Sequence, residues 1–326
     1  MWQKNLIDSV NIVLPIFLLV ALGYLLKRLK FASDKFYEDA EKFVFKIALP
    51  CQLFLSVAFS SVNVGEVDYA RLIVFCILSV TLAFLLGVLV VPMLVKDNSA
   101  RGAIIQNTFR SNFAVLGIPL AYNIAGDAGK VTISILMPFV IIMFNAYSVI
   151  ELNIFAPRES KKTMGQLALS TLKSVVTNPL IVSVVAGLPF LLTGWRPPSE
   201  LSFFKSTVEY LSDTTQALVL VALGAGFSFV SLRGKLKYSL PTAIYKTVVL
   251  PIIAVLVARL GFGFGGTELA VIFILFGAPS AVSSYIMAKT LKSDAEVASQ
   301  TLLLSTLLCT VTLFVAILVL KTLSWI

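Results

Sequence analysis

Gln106, Asn107, Ser111 and Asn112 crowd into one short stretch, with Gly117 and Pro119 just behind them, inside a run otherwise apolar enough to cross a bilayer. A single amide or hydroxyl there would be ordinary interhelical glue, worth about 0.6 to 2 kcal/mol. Their concentration beside a helix breaker points instead to ligand binding. Pro119 has no N–H for the carbonyl of Val115, and Gly117 relaxes the turn ahead of it, so the helix is predicted to break there. Asn107 and Ser111 are expected one turn apart on one face, with Asn112 about 100° round from Ser111. Broken backbone within a bilayer survives only where protein packs it or where it lines a watery space, so the stretch should wall a binding cavity near the midplane.

A counterpart lies late in the chain, in Gly277 to Tyr285. Pro279 should free the carbonyl of Leu275, while Ser280, Ser283 and Ser284 can satisfy local backbone or face the same cavity. Two helices broken at the midplane would turn their N-termini, each carrying about half a positive charge, toward a shared point. Such a site prefers an anion. Asn145 is a further expected cavity donor. Lys246 and Arg110 are the most interior cations, each explained as readily by a side chain reaching the interface as by a ligand. Glu151, Asp213 and Glu268 fall near the ends of their spans, which leaves a carboxylate relay poorly supported. With no histidine, and with Cys51, Cys76 and Cys309 all in apolar spans, no metal site, cofactor or catalytic group is expected, and the chain is not read as an enzyme.

The elements that must carry these residues are apolar helices. At 58% hydrophobic and 13% charged, the chain is an all-α integral membrane protein by composition. Ten spans are expected: about Val10–Leu26, Glu41–Phe59, Ala70–Val95, Arg101–Ala125, Lys130–Asn153, Leu169–Leu192, Val208–Val230, Tyr238–Leu260, Glu268–Leu291 and Glu296–Leu320. The first, followed by Lys27, Arg28 and Lys30, lacks a small-residue cleavage site and is kept as a mature helix. The expected division is a first five-helix repeat over 1–155, a cytoplasmic linker over 156–167 containing Arg158 to Lys162, and a second five-helix repeat over 168–326.

Weak matches recur in order between the halves. Leu14-Pro15 with Gly23 pairs with Asn178-Pro179 and Gly187, Ala48-Leu49-Pro50 with Ala222-Leu223-Gly224, and Asp127-Ala128 with Asp294-Ala295. An odd number of helices per half makes the repeats inverted, with broken crossover helices 4 and 9. The formal charge of +9 is concentrated in alternate loops rather than in an aromatic-interleaved patch, which argues for topology and against nucleic acid. By the positive-inside rule both termini face away from the cytoplasm.

Asn112 followed by Gly117-Ile118-Pro119-Leu120, the run from Ala278-Pro279 to Ala288-Lys289, and Asn178-Pro179 together resemble the auxin efflux carrier family over nearly the whole chain. The resemblance implies a scaffold of spans 1, 2, 6 and 7 and a mobile transport unit of spans 3–5 and 8–10 moving as an elevator in the plasma membrane. It also implies passage of a carboxylate anion, with Asn112 and the crossover as the binding site. The long loop of plant hormone carriers is missing and Ser284 stands where they tend to have a second proline. The chain therefore looks like a compact microbial member, of the malate or malonate permease type. An anion channel is the alternative class. A looser similarity to sodium and bile-acid symporters implies sodium coupling, for which the sequence offers no ligand cluster. Expected partners are a small organic anion and membrane lipid, with monomer and homodimer both open.

Overall fold

The computed structural model describes residues 2–59, 67–155, 163–196, 198, 202–226 and 235–326, and among these all regular structure is helical. The basic link Arg158 to Lys162, the end of the seventh expected span at 227–230, and Arg233 lie outside the described residues. The helices are α1 (Trp2–Arg28), α2 (Asp34–Phe43), α3 (Leu49–Ala58), α4 (Tyr69–Leu94), α5 (Asn98–Phe109), α6 (Gly117–Ile154), α7 (Met164–Val176), α8 (Pro179–Thr193), α9 (Ser202–Ala225), α10 (Leu236–Ile244), α11 (Leu250–Leu256), α12 (Gly266–Gly277), α13 (Val282–Thr290) and α14 (Ala295–Thr322). Among the described residues, six helical runs are long and apolar enough to cross a membrane: Gln3–Arg28, Tyr69–Leu94, Gly117–Ile154, Leu236–Gly261, Gly266–Lys289 and Ala295–Thr322.

Prolines and one glycine explain why other expected spans are interrupted. Between α2 and α3, and again between α10 and α11, the chain widens into a π-helical turn, at Val44–Ala48 and Tyr245–Val249. Each turn runs straight into a Leu-Pro pair, Leu49-Pro50 and Leu250-Pro251, where the ring has no N–H to give. The wider turn accommodates the missing donor without ending the rod. The sixth expected span is two helices, because Asn178 caps α8 by accepting from the Leu180 N–H and Pro179 takes the first helical position.

The 38-residue α6 is not one rod. Ala125 leaves helical geometry, and Gly126, at φ +59° and ψ −145°, adopts a conformation open essentially to glycine alone. A Cβ on Gly129 would strike the carbonyl of Ala121, although eight residues of straight helix would hold them about 12 Å apart. The chain therefore turns back on itself at 125–126, between the fourth and fifth expected spans. Glycines also set the closest helix packing. A side chain at Gly23 of α1 or Gly224 of α9 would collide with the backbone of the other helix, and Gly187 seats α8 against Phe54 and Val57 of α3.

Apolar side chains of α4 form an outward band, with Leu78, Leu82, Leu85, Leu89 and Met93 all exposed. By contrast α5 and α12 are enclosed: Ala103 to Phe109, and Leu269 to Gly277, are buried without interruption. That enclosure permits both helices to stop short of a full membrane crossing, since protein surrounds the backbone they leave open.

Candidate functional site

The first break begins where α5 ends at Phe109. Arg110 still donates its N–H to Gln106, but its backbone is extended, and helix resumes only at Gly117. The second break follows Gly277, with Ala278 and Ala281 extended before α13 starts at Val282. The two meet through one backbone bond, from the Asn112 N–H to the Pro279 carbonyl at 2.7 Å. Neither resumed helix has a side-chain cap, since Leu116 and Ala281 stand at the cap positions. At α13 the Ser284 N–H is bonded to the Ala281 carbonyl at 2.9 Å, and the N–H groups of Val282 and Ser283 have no intrahelical acceptor.

The location of the first break corrects the expectation built on Pro119. The chain opens over 110–116, and Pro119 sits in the first turn of α6. There helix N–H groups have no intrahelical acceptor, so a residue lacking one costs nothing. Asn107 and Ser111 do not share a helical face, because Ser111 is already outside α5.

A cavity of about 660 Å³ opens beside the first break, within the range of small-molecule sites. Of the residues singled out in the sequence, Ser111, Asn112, Asn145 and Ser283 line it, as do Phe113, Ala114, Ala281 and Val282 around the two helix starts. The far wall comes from Glu41, Phe45 and Lys46 and from the start of α8 at Asn178 to Leu180. Asn107, Gly117, Pro119, Lys246, Pro279, Ser280 and Ser284 are outside this lining. Asn107 turns back to the Ala103 carbonyl at 2.6 Å. Gly117 makes room for Ile133. Lys246, wholly buried in its π turn, donates to the Phe276 carbonyl at 2.9 Å and so closes the end of α12.

Arg110 also lines the cavity, and its guanidinium spans both broken segments. One terminal nitrogen donates to Ser148 Oγ at 3.0 Å, to the Phe144 carbonyl at 3.4 Å and to Met287 Sδ at 3.0 Å. The other donates to Asn145 Oδ1 and Ser283 Oγ, both at 2.9 Å. Arg110 is 6% exposed and has no ion-pair partner among the described residues. Its charge is held by neutral acceptors, and Asn145 and Ser283 are positioned by it. Several buried polar atoms nearby have no protein partner: Gln106 Oε1, Asn107 Oδ1, Ser111 Oγ, Asn112 Nδ2, Ser280 Oγ and Ser284 Oγ. Asn112 Nδ2 and Ser111 Oγ belong to residues of the cavity wall. A fixed cation, two unspent donors and the uncapped N-terminus of α13 make the space suited to a carboxylate.

A family model described as membrane transport protein matches residues 8–317. The chain belongs to this family, that of the auxin efflux carriers. An uncharacterized transporter of Methanocaldococcus jannaschii is 22% identical over 303 residues, covering 91% of this chain and 94% of that protein. Another, from Methanothermobacter thermautotrophicus, is 23% identical over 305 residues, covering 94% of this chain and 96% of its own length. Transport is therefore the activity class, and the membrane its setting.

Proposed function

We propose that the chain is a secondary carrier that moves a small organic carboxylate across the plasma membrane by alternating access. The observation that carries this is the convergence, on one cavity, of Arg110, Asn112 and the uncapped start of α13 at Ala281. Arg110 supplies the compensating charge, while Asn112 Nδ2, Ser111 Oγ and the helix N–H groups supply directed donors.

Ten spans in two inverted repeats are part of the proposal. Supporting them, the matched glycines Gly23 and Gly187 each lie at a close helix approach, α1 on α9 and α8 on α3. Both termini would then lie outside, with the basic loops and the cavity mouth at Lys46 on the cytoplasmic side. The elevator arrangement assigns α4, α5 and α6, and α10 to α14, to the moving unit. A carrier is favoured over a channel by a second, separate cavity of about 450 Å³, bounded by Ser56, Asp127, Lys130, Glu209 and Asp213, which shares no lining residue with the first. Two disconnected spaces suit alternate openings better than one pore.

Reconstitution into vesicles tests the reading. Saturable carboxylate flux with counterflow is the expected result, and flux at open-pore rates would refute it. Replacing sodium with choline should leave that flux intact. Asn112→Ala should remain monodisperse in detergent yet bind the carboxylate more weakly by about 1 to 3 kcal/mol. Wild-type affinity in that variant would remove Asn112 from the site.

A further inference from the structure

Glu151 belongs to α6 and was expected near a span end, yet it is wholly buried. Among the described residues, both carboxyl oxygens lack a hydrogen-bond partner. It lies on the same stripe of α6 as Phe144 and Ser148, spaced by four and then three residues, and both of those accept from Arg110. Glu151 and Arg110 also act on one another electrostatically, although they form no ion pair within contact distance. A buried carboxyl with two orphaned oxygens, one turn beyond the groups that hold the site's cation, is not needed by the carboxylate-binding geometry. It calls for a separate role.

We propose that Glu151 is the proton-binding partner of the anion site, so that each carboxylate crosses with one proton. The proposal rests on the carrier reading above. In the empty carrier, ionised Glu151 balances the guanidinium of Arg110. When a carboxylate binds at Arg110 it becomes the counter-charge, and Glu151 takes one proton from water, its carboxylate becoming a neutral carboxyl. Arg110 with ionised Glu151 sums to zero, and so does Arg110 with a bound monoanion and protonated Glu151. The site therefore crosses the low-dielectric interior without net charge in both states, avoiding the penalty of an uncompensated buried ion.

Among the described residues, the other charges around Glu151 do not take this part. From α5, Arg101 is held by the carbonyls of Pro92 and Val95 and by Asn98. Lys173 of α7 and Lys289 of α13 are exposed. No charged residue occurs in α3 or α8, and those of α1, α4 and α12 lie toward the ends of their helices.

The test is carboxylate binding and pH-driven uptake in wild type, Glu151→Gln and Arg110→Gln, with acetate, lactate, malonate and succinate as probes. Wild-type affinity should rise about tenfold per unit fall in pH over the window where Glu151 ionises, with one proton taken up per carboxylate bound. Glu151→Gln, neutral at every pH, should bind with flat pH dependence and continue exchange, but a pH gradient should no longer drive accumulation. A Glu151→Gln variant that keeps the wild-type pH slope and proton uptake overturns the proposal and leaves the site intact. So does a wild-type affinity independent of pH. Undiminished binding in Arg110→Gln, or no binding of any probe by wild type, removes the site and the proposal with it. A Glu151→Gln protein that fails to fold at any pH also overturns it, because the neutral form is one of the two states required.

Discussion

At the first break, the end of α5 gives way to side chains that line a cavity. At the second, the end of α12 is met by donors from its neighbours. Lys246 donates to the Phe276 carbonyl, Cys309 Sγ to the Gly277 carbonyl at 3.3 Å, and the Asn112 N–H to the Pro279 carbonyl. The next N–H, of Ser280, is taken by Ser305 Oγ at 3.1 Å. Around the first break, Ser111 Oγ and Asn112 Nδ2 remain unspent, and Arg110 reaches across to α6 and α13. The same backbone device thus has two uses. The first break lines the cavity with unspent donors, and at the second the end of α12 is tied down while the start of α13 borders the cavity.

Removing the cation should give the largest loss. Arg110→Gln leaves Asn145, Ser148 and Ser283 without their shared donor and an anion without its counter-charge. Carboxylate affinity is expected to fall by about 2 to 5 kcal/mol, measured by calorimetry on monodisperse protein. Arg110→Lys should restore only part of this, because an ammonium cannot reach the five acceptors that the planar guanidinium meets. Full recovery with lysine would mean that charge alone matters at the first break.

Lys246→Ala probes the other side of the comparison. It empties a packed site and orphans the Phe276 carbonyl, so thermal unfolding should show a loss of about 2 to 5 kcal/mol. Affinity per folded molecule should not change. If affinity falls as it does for Arg110→Gln while stability holds, Lys246 acts on the ligand and the contrast between the breaks collapses.

How much of this is readable in the sequence differs by residue. Helical class, the paired breaks and the polar group around Asn112 follow from composition and from proline and amide spacing, which are local properties. The role of Arg110 does not. From sequence it has equal claim to an interfacial position, and what decides the matter is that its guanidinium is held by acceptors on α6 and α13, which only the folded chain brings to it. Glu151 is misplaced for the same reason: closeness to a span end suggests exposure, whereas neighbouring helices bury it. Pro119 marks a real interruption but misplaces it, because a proline tolerated in a first turn looks in sequence like one that breaks a helix. The apolar pattern gives each helix a buried side without naming the helix that covers it.

The two prolines therefore offer a smaller, sharper test. Pro279→Ala gives the Leu275 carbonyl an N–H and favours extension of α12 through the crossing point, so transport should fall several-fold. Pro119→Ala adds an N–H where none is required and should leave flux near wild type. Equal losses in both would imply that Pro119 also maintains the first break.

The smallest effect is expected where the two breaks are tied together at their far ends. Asp97 caps α5 by accepting from the Ser99 N–H at 3.0 Å, and the Ser99 carbonyl accepts from the Asp294 N–H and from Ser293 Oγ, both at 3.0 Å. Lys235 bridges Asp294 at 3.0 Å and Asp97 at 3.6 Å. The hydrogen bond from the Ser99 hydroxyl holds the Asp97 carboxyl below its ordinary value, and the bond to Asp294 raises the Lys235 ammonium. A lowered carboxyl contributes stability that is complete above its unfolded value and lost as pH falls through its folded one. A raised lysine contributes below its unfolded value and loses its share only as pH rises through the folded one. Both contributions are therefore intact at neutral pH, and the cluster should loosen first in acid, below the usual carboxylate range. Asp97→Asn keeps an efficient cap but removes the charge, so neutral-pH stability should drop by only about 0 to 1 kcal/mol, the worth of an exposed ion pair. The acid-induced loss of unfolding free energy should shrink by the same amount. A larger loss would make this tie, rather than the Asn112 to Pro279 crossing, the main coupling between the two breaks.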